Sequence, residues 1–384
     1  MDFPNFYKSR HYKKLILVPA ALMLASLALI FFNGIPSGIE LKGGIRVTVL
    51  GASSVDAGLV KEKLASLSPE VSVRAFENSA GKGFEVELGN DPVLEEAAEK
   101  MSLLRNKEAA LVQAELNANY LAEAAKNDSS RAGEAFEAAQ KAGKLKEEVL
   151  ADASALLASI KSSKSAGSDA HNAVKVADEE FNNARSAYRE KILAVVRESA
   201  PGAAFSVKEV GSVLSKYFFS KTQEFLLWSF LLSAIVVLII FRSLVPSFAV
   251  IFGAFNDLVI TMGAMSLFGI PLSLASVATL LMLIGFSLDT DMLLTIRVLK
   301  REGGTPQERV YGAFITGFML NLTTIVAFGI LAVVGAYLQI ATYYQIGIVA
   351  VIGGVADFIA TWCANAGIIL WYAEKKERRR AALA

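Results

Sequence analysis

The sequence predicts a polytopic α-helical membrane protein with six transmembrane helices and an extracytoplasmic α+β domain that bears a helical-hairpin or coiled-coil insert. Two observations lead to this prediction. Of the 384 residues, 54% are hydrophobic, and they form six apolar segments close to the roughly 20 residues that a helix needs to cross a bilayer. Most acidic residues fall instead in residues 34–224, which indicates a polar domain between the first and second segments.

The first predicted span is residues 15–33, after the basic residues Lys8, Arg10, Lys13 and Lys14. Its apolar run is longer than the core of a typical signal peptide, so we expect a retained membrane anchor. The other five spans form a predicted membrane bundle over residues 225–373. They are residues 225–241, 244–268, about 272–294, 313–334 and 344–372.

The charges of the loops predict the orientation of the spans. Basic residues at 242, 297–309 and 375–380 fall on the same side as the basic N-terminus, while the loops on the opposite side carry no charge. By the positive-inside rule, residues 1–14 and the basic tail 374–384 are cytoplasmic. We therefore expect a multi-pass protein of the plasma membrane, in contact with lipids, whose large polar domain is extracytoplasmic.

The polar domain has the pattern strand, helix, strand, strand, helix, strand. Alternating β-rich segments lie at 45–50, 71–76, 83–88 and 205–210, and helical periodicity lies at 53–67 and near 184–199. This order predicts an α+β domain of the ferredoxin-like kind, formed by residues 34–90 and 184–212, with helices on one face of an antiparallel sheet.

Residues 91–183 form an insert rich in Ala, Glu and Lys. Its helical pattern breaks at 127–133 and 162–169, which contain Gly, Ser and Asp. Apolar residues step by three and four along both arms, as a helical hairpin or short coiled coil requires; they are Leu111, Ala114, Ala118, Leu121 and Ala125, then Val174, Ala177, Phe181, Ala184 and Tyr188. Two interpretations stay open, a rigid spacer packed against itself and a docking arm for a partner.

Carboxylates occur within three of the predicted spans, as Asp257, as the pair Asp289 and Asp291, and as Asp357. A charged side chain at the centre of a membrane helix costs roughly 2.5–3.5 kcal/mol on insertion scales, so such residues usually face a bundle interior or a wet cavity. We regard these four as candidates for proton or ion coupling. The alternative is that each one only forms a hydrogen bond to a neighbouring helix.

Helix geometry predicts that Asp289 and Asp291 face different surroundings. Residues two apart on a straight helix point about 200° from each other, so Asp289 and Asp291 cannot both face one pathway. Arg297, two turns beyond Asp289, is expected either to pair with an acid or to anchor the helix end. Further polar groups could support the site by bonding across helices; they are Asn256, Asn321, Thr323 and Thr324.

Composition argues against several other classes of protein. Cys363 is the only cysteine, so the sequence predicts no intrachain disulfide and no thiolate metal cluster. A net charge of +1 gives no indication of nucleic-acid binding. We see no phosphate-binding loop, no metal-ligand spacing and no nucleophile with a base, so the sequence predicts neither an enzyme nor a cofactor.

Several motifs together resemble the SecF branch of the SecD/SecF protein-export family. They are GIELKGG, which contains Gly43 and Gly44, then VGSVLSKYF at 210–218, FRSLVPSFAV at 241–250, FNDLVIT at 255–261 and LMLIGFSLDTDMLLTIRVLKR at 281–301. The last one is closest to the archaeal form, and the layout of one span, a large outer domain and five spans also agrees. The insert lies outside the resemblance.

The resemblance implies an accessory subunit that works with SecD and the Sec translocation channel on preprotein substrates, powered by the proton gradient in a fold similar to resistance-nodulation-division (RND) transporters. Asp257 stands at the family's third-span acid. Asp289, Asp291 and Arg297 stand in the fourth-span motif, where the acids are shifted by one place from the bacterial pattern. Thr316 replaces an arginine of the bacterial fifth span, which puts a bacterial-style relay in doubt.

Three alternatives stay open. They are an RND-type exporter of small molecules or lipids, a scaffold of the translocation channel without ion coupling, and a SecD-like protein, since GIELKGG ends as in that paralogue.

Overall fold

Six helices in the described part of the chain are long and apolar enough to cross a membrane, and the chain is a multi-pass membrane protein. A computed structural model describes residues 5–9, 12–51, 56–68, 70–78, 81–301 and 303–382. The candidate spans are Tyr12–Asn33, Ser212–Phe241, Leu244–Phe268, Leu274–Leu299, Pro306–Tyr337 and Ala341–Arg379.

The helices and strands are numbered in chain order. The helices are α1 (Leu17–Asn33), α2 (Ile39–Lys42), α3 (Ala57–Ala65), α4 (Pro92–Asn127), α5 (Ala132–Ser159), α6 (Ala170–Ser199), α7 (Ser212–Phe241), α8 (Leu244–Phe268), α9 (Leu274–Leu299), α10 (Pro306–Tyr337), α11 (Ala341–Ile359) and α12 (Ala366–Ala381). The strands are β1 (Gly44–Leu50), β2 (Val71–Asn78), β3 (Gly81–Leu88) and β4 (Ala204–Val210). A π-helical segment, Ala360–Asn365, joins α11 to α12.

The chain divides into two compact units, Lys42–Tyr217 and a membrane unit of Met1–Leu41 with Phe218–Ala384. In the first unit the four predicted strands form one antiparallel sheet in the order β2-β3-β1-β4. Its apolar face packs against α3 and α6 through the buried side chains Ile45, Val47, Val49, Val60, Leu64, Phe84, Val86, Leu88, Ile192, Leu193 and Val196. Alternation along each strand leaves Arg46 on the other face, 2.7 Å from Glu85 and 2.5 Å from Glu87.

The insert contains three helices rather than the two of a simple hairpin, because α4 and α5 also pack against the first half of α6. The shared core includes Met101, Leu104, Leu111, Val149, Leu156 and Phe181. No residue from 112 to 141 is buried, so the distal hairpin of α4 and α5 has only partly buried alanine and leucine contacts. The expected stripe from Ala114 to Ala125 lies in this part.

Several helix limits differ from those expected from the sequence. The division at residues 183 and 184 falls inside α6, which runs without a break from the insert into the sheet-covering helix. The helix of the second span begins at Ser212 instead of residue 225. The fifth begins at Pro306 instead of residue 313, because Thr305 and Glu308 form a capping box there.

In the membrane unit, α8, α9 and α11 pack against one another and form the interior of the bundle, and α10 lies against α9 and α11. Ser273 and Ser276 form a capping box that starts α9. Tyr7 is buried at one end, where its hydroxyl donates to the Trp362 carbonyl over 2.8 Å. This packing brings polar residues of α8, α9 and α11 together inside the bundle.

Candidate functional site

Three of the four predicted carboxylates meet inside the bundle. Asp257 of α8, Asp291 of α9 and Asp357 of α11 are 3%, 0% and 4% exposed. Asp257 and Asp357 both line one cavity of the bundle. The helices therefore place three acidic groups in an environment without bulk water.

Hydroxyl and amide groups connect these carboxylates. The Ser287 hydroxyl donates to Asp257 Oδ2 over 2.5 Å. The Thr361 hydroxyl lies 2.8 Å from Asp291 Oδ1 and 3.1 Å from Asp357 Oδ1. Thr361 thus joins Asp291 to Asp357, and Ser287 of α9 joins α9 to Asp257 of α8. We call the three carboxylates and these hydroxyl partners the carboxylate network.

Asn321 joins a fourth helix to the network. Its side-chain Nδ2 donates to Asp357 Oδ2 over 2.9 Å, and its Oδ1 lies 3.4 Å from the Thr290 hydroxyl. The sequence predicted that Asn321 could bond across helices, and in the structure its partner on α11 is the carboxyl group of Asp357.

Gly253 makes room for Asp291. A Cβ atom on Gly253 would lie 2.3 Å from Asp291 Oδ2, well inside van der Waals contact. Because only glycine lacks this atom, α8 can approach the carboxyl group of α9 closely.

Asp289 does not join the network. It is exposed on another face of α9, as the angle between residues two apart on a helix requires. Asp289 lines a cavity of about 230 Å³ whose wall also includes Asp257, Asp357, Asn321 and Thr324. The cavity reaches the network from the side of α9 and α10.

The remaining predicted polar residues have other contacts. Arg297 donates to the Gly312 carbonyl over 2.5 Å and to Thr316 Oγ1 over 2.7 Å, so it ties α9 to α10. Thr323 and Thr324 each bond the carbonyl four residues earlier in their own helix. Asn256 is buried beside Asp257, and its Oδ1 has no partner among the described residues.

Sequence reasoning did not single out Ser287 and Thr361. Thr361 follows Asp357 by four residues, the spacing that puts two side chains on one helix face, so that signal was available. Ser287 had no comparable signal, because its partner Asp257 lies on another helix. Serine and threonine are too frequent in membrane helices for their presence alone to indicate a site.

The glycine motif has a structural role at the start of β1. Gly43 and Gly44 have φ angles of +79° and +139°, values that side chains rarely adopt. A Cβ atom on Gly44 would lie 2.1 Å from the Leu88 carbonyl oxygen, and one on Gly43 2.3 Å from Asn90 Nδ2. Both glycines are therefore needed for the chain to enter the sheet.

The contacts of the network are with hydroxyl and amide groups. Among the described residues, no group of three His, Cys, Asp or Glu side chains could hold a metal ion, and no ion pair involves the three buried carboxylates. A hydroxyl between two carboxyl groups can donate to one of them while accepting from the other if that one is protonated.

Comparisons with known proteins find similarity in the C-terminal half of the chain. Residues 191–375 match the family described as protein export membrane protein SecD/SecF, C-terminal. The protein-export membrane protein SecF of Methanothermobacter thermautotrophicus is 46% identical over 171 residues, which are 44% of this chain and 60% of that protein. SecF of Methanocaldococcus jannaschii is 42% identical over 170 residues, which are also 44% of this chain and 60% of that protein.

The matched region thus spans about 60% of the length of these curated relatives. Among solved structures, the crystal structure of SecDF in the super-membrane-facing form aligns with 100% of this chain and 41% of that chain, at 13% identity and a TM-score of 0.46.

Proposed function

Since residues 191–375 of this chain match the SecD/SecF C-terminal family of protein export membrane proteins, we propose that the protein is a member of that family and an accessory subunit of the Sec translocation machinery. It assists the export of preproteins across the plasma membrane together with SecD and the translocation channel. The observation that carries the proposed mechanism is the network of Asp257, Asp291 and Asp357, which is buried and has no basic partner among the described residues.

The network supports coupling to the proton gradient for an electrostatic reason. A charge without a partner costs several kcal/mol in a low-dielectric interior, and three neighbouring like charges also repel one another. Protons therefore accompany these carboxyl groups. Moving one elementary charge across 100 mV releases about 2.3 kcal/mol, which is enough to bias two conformations of similar free energy.

Protonation would change helix packing through Thr361. Its hydroxyl carries one hydrogen and lies within 3.1 Å of carboxyl oxygens on both α9 and α11. A proton on Asp357 lets Thr361 accept from that residue and donate to Asp291, and a proton on Asp291 reverses the direction. The preferred arrangement of α9 against α11 then depends on which acid is protonated.

We propose that the sheet-bearing unit is the extracytoplasmic, ferredoxin-like domain that acts on the preprotein. The charge of the loops in the membrane unit supports this orientation. Basic residues lie at 242, 297–309 and 375–380, and by the positive-inside rule the helix ends next to them are expected in the cytoplasm. The connection from α1 to α7 then lies on the opposite side.

The test is export of a preprotein in cells that carry single substitutions. Asp257→Asn, Asp291→Asn and Asp357→Asn keep the size of each side chain and remove its ability to carry a proton. We expect each to slow export by roughly tenfold or more and to make the residual export insensitive to collapse of the proton gradient.

Asp289→Asn is the matched control, because Asp289 lies on α9 but outside the network. It should export like wild type and stay sensitive to the gradient. If the three network variants also behave like wild type, the carboxylates are structural and the coupled mechanism is wrong. Membrane levels of each variant, measured in parallel, separate loss of coupling from loss of protein.

One observation favours a second candidate, an exporter of small molecules or lipids. The sheet-bearing unit has a cavity of about 500 Å³ lined by Met101, Arg105, Phe181, Arg185 and Glu209, among others, and ligand pockets commonly have 300–1,000 Å³. If this candidate is right, Ser102→Trp, at a partly exposed residue of the cavity wall, should block transport of a small molecule and leave preprotein export unchanged.

A further inference from the structure

Basic and aromatic side chains meet at one end of the membrane bundle, where α7 is followed by α8. Lys300 Nζ, just after α9, lies 5.8 Å from the centre of the Phe241 ring at the end of α7. Lys375 Nζ of α12 lies 5.0 Å from the centre of the Trp371 ring. Both distances are within the roughly 6 Å at which a cation is attracted to the face of an aromatic ring. The two ammonium groups are therefore held beside aromatic side chains.

A contact between two hydroxyl groups joins these pairs into one cluster. The hydroxyl oxygens of Ser243 and Tyr372 lie 3.1 Å apart. One hydroxyl donates in this contact, so the hydrogen of the other stays available for a further acceptor. Arg242, which precedes Ser243 in the chain, is exposed. We call this cluster the basic aromatic site, defined by Arg242, Lys300 and Lys375 with Phe241, Trp371 and Tyr372.

The three cations of the site have no acidic partner among the described residues. No ion pair in that part of the chain involves Arg242, Lys300 or Lys375. Both acids of α12, Glu374 and Glu377, bond instead to residues of the N-terminal segment and of α10. Because the three positive charges repel one another, an anion bound among them would stabilise the cluster.

The backbone at Arg242 indicates that its side chain has a use. Its φ angle is +49°, in the left-handed region where glycine and asparagine are the usual residues. The N–H group of Arg242 donates to the Leu238 carbonyl over 3.0 Å and so ends α7, a bond that glycine would form equally well. Side chains kept in such a conformation are concentrated at binding sites.

An exposed apolar surface begins next to the site. Leu244 and Phe248 of α8 are 79% and 66% exposed, and their spacing of four residues puts them on one face of the helix. Phe248 stacks on Phe252 one turn further along, with ring centres 6.0 Å apart. The apolar face thus extends from the basic aromatic site into the span, and a ligand that fits both has an anionic head and an apolar chain.

We propose that the basic aromatic site binds the headgroup of an anionic phospholipid, with the phosphate held by Arg242, Lys300 and Lys375 and a lipid chain along Leu244 and Phe248. A guanidinium group can bond two phosphate oxygens at once, and the ammonium groups add point charges. Basic pockets between membrane helices are known to bind anionic headgroups. This inference goes beyond the proposed function, since lipid binding requires neither a preprotein nor a proton gradient.

Native mass spectrometry of the purified full chain in detergent tests the site, because it counts bound phospholipids and gives their affinity. Phosphatidylglycerol is the anionic probe, and phosphatidylcholine is the zwitterionic comparison. We expect one phosphatidylglycerol to bind at least about tenfold more tightly than phosphatidylcholine, since each cation near an anionic headgroup adds to the affinity. Equal affinities for the two lipids would overturn the proposal.

Two double variants separate this site from a general attraction to positive charge. Lys300→Gln with Lys375→Gln should weaken phosphatidylglycerol binding by about tenfold or more and leave phosphatidylcholine binding unchanged. Arg301→Gln with Lys376→Gln is the matched control, because it removes the same charge from neighbouring positions outside the site. The control should bind as wild type, and equal losses in the two double variants would show that the site is not specific.

Arg242→Gly separates lipid binding from folding. Glycine adopts a φ angle of +49° without strain, so this variant should unfold at the same temperature as wild type or a higher one. It should nevertheless bind phosphatidylglycerol about fivefold more weakly. Wild-type affinity in this variant would refute the placement of the phosphate at Arg242.

Inorganic phosphate distinguishes a lipid from a soluble anion. It shares the chemistry of the headgroup but lacks the apolar chain, so it should not displace bound phosphatidylglycerol at a comparable concentration. Displacement at that concentration would assign the site to a soluble phosphate and overturn the lipid assignment. Asp291→Asn should bind phosphatidylglycerol as wild type does, so a failure of proton coupling and a failure of lipid binding are told apart.

Discussion

At the scale of residues, the site depends on how closely side chains of different helices approach. Asn321 was expected to bond across helices, and it donates to Asp357. The acids Asp257 and Asp357 stand out in the sequence, because a carboxylate in an apolar run is costly. Their grouping with Asp291 and not Asp289 depends on the rotation of α9 in the bundle, which one helix's sequence does not specify.

Gly253→Ala tests the close approach of α8 to Asp291. The added methyl would lie 2.3 Å from the carboxyl oxygen, so the helices or the carboxylate must move. We expect a loss of roughly 1–3 kcal/mol in stability, the usual cost of overpacking, measured by thermal unfolding of the purified protein in detergent.

Gly285→Ala is the control for this change, because Gly285 is exposed on α9 and no atom lies within 4 Å of its added Cβ. It should be neutral or stabilising by up to about 1 kcal/mol, as alanine is a better helix former than glycine. Equal melting temperatures for the two variants would contradict the predicted crowding.

At the scale of elements, the sequence located helices and strands better than it located their ends. The turn residues at 127–133 and 162–169 end α4 and α5 as their Gly, Ser and Asp content suggests. The predicted boundary at residues 183 and 184 falls inside α6, where Val174, Ala177 and Phe181 pack in the core of the insert and the later Ile192 and Val196 pack against the sheet. Their burial is equally periodic, and only their packing partners change along the helix.

His171 makes the insert sensitive to pH. It lies in the first turn of α6, with Nε2 3.1 Å from Glu115 Oε2 and Nδ1 3.3 Å from Glu108 Oε1 of α4. The hydrogen bond to Glu115 raises the pKa of His171 above its usual 6.5, and the hydrogen bond to Glu108 adds a smaller effect in the same direction. Because the pKa of His171 is higher in the folded protein than in the unfolded chain, protonated His171 stabilises the fold. This stabilisation is complete below the pKa of the unfolded chain, and it is lost as the pH rises through the pKa of the folded protein.

We therefore expect the contact of α4 with α6 to weaken as the pH rises above the usual histidine pKa of 6.5. Thermal unfolding followed by circular dichroism at several pH values measures this, with His171→Gln as the control because glutamine does not titrate. The effect should be small, since the His171 side chain is 41% exposed. An identical pH dependence in the two proteins would refute the role of His171.

At the scale of the whole molecule, the placement of basic residues predicts which parts face the cytoplasm. In a Cys363→Ser background, an impermeant maleimide added to intact cells should label Ser129→Cys, which lies at the turn between α4 and α5. It should not label Ala382→Cys at the basic tail until the cells are broken, because the positive-inside rule places that tail in the cytoplasm. Labelling of Ala382→Cys in intact cells would reverse the orientation.

The continuity of α6 also has a mechanical meaning. With 30 residues it is a rod about 45 Å long, anchored at one end among α4 and α5 and at the other on the sheet. A tilt of one degree about either anchor displaces the far end by about 0.8 Å, roughly half a covalent bond length. The helix is thus a lever, and a force applied to the insert reaches the strands without passing through a flexible joint.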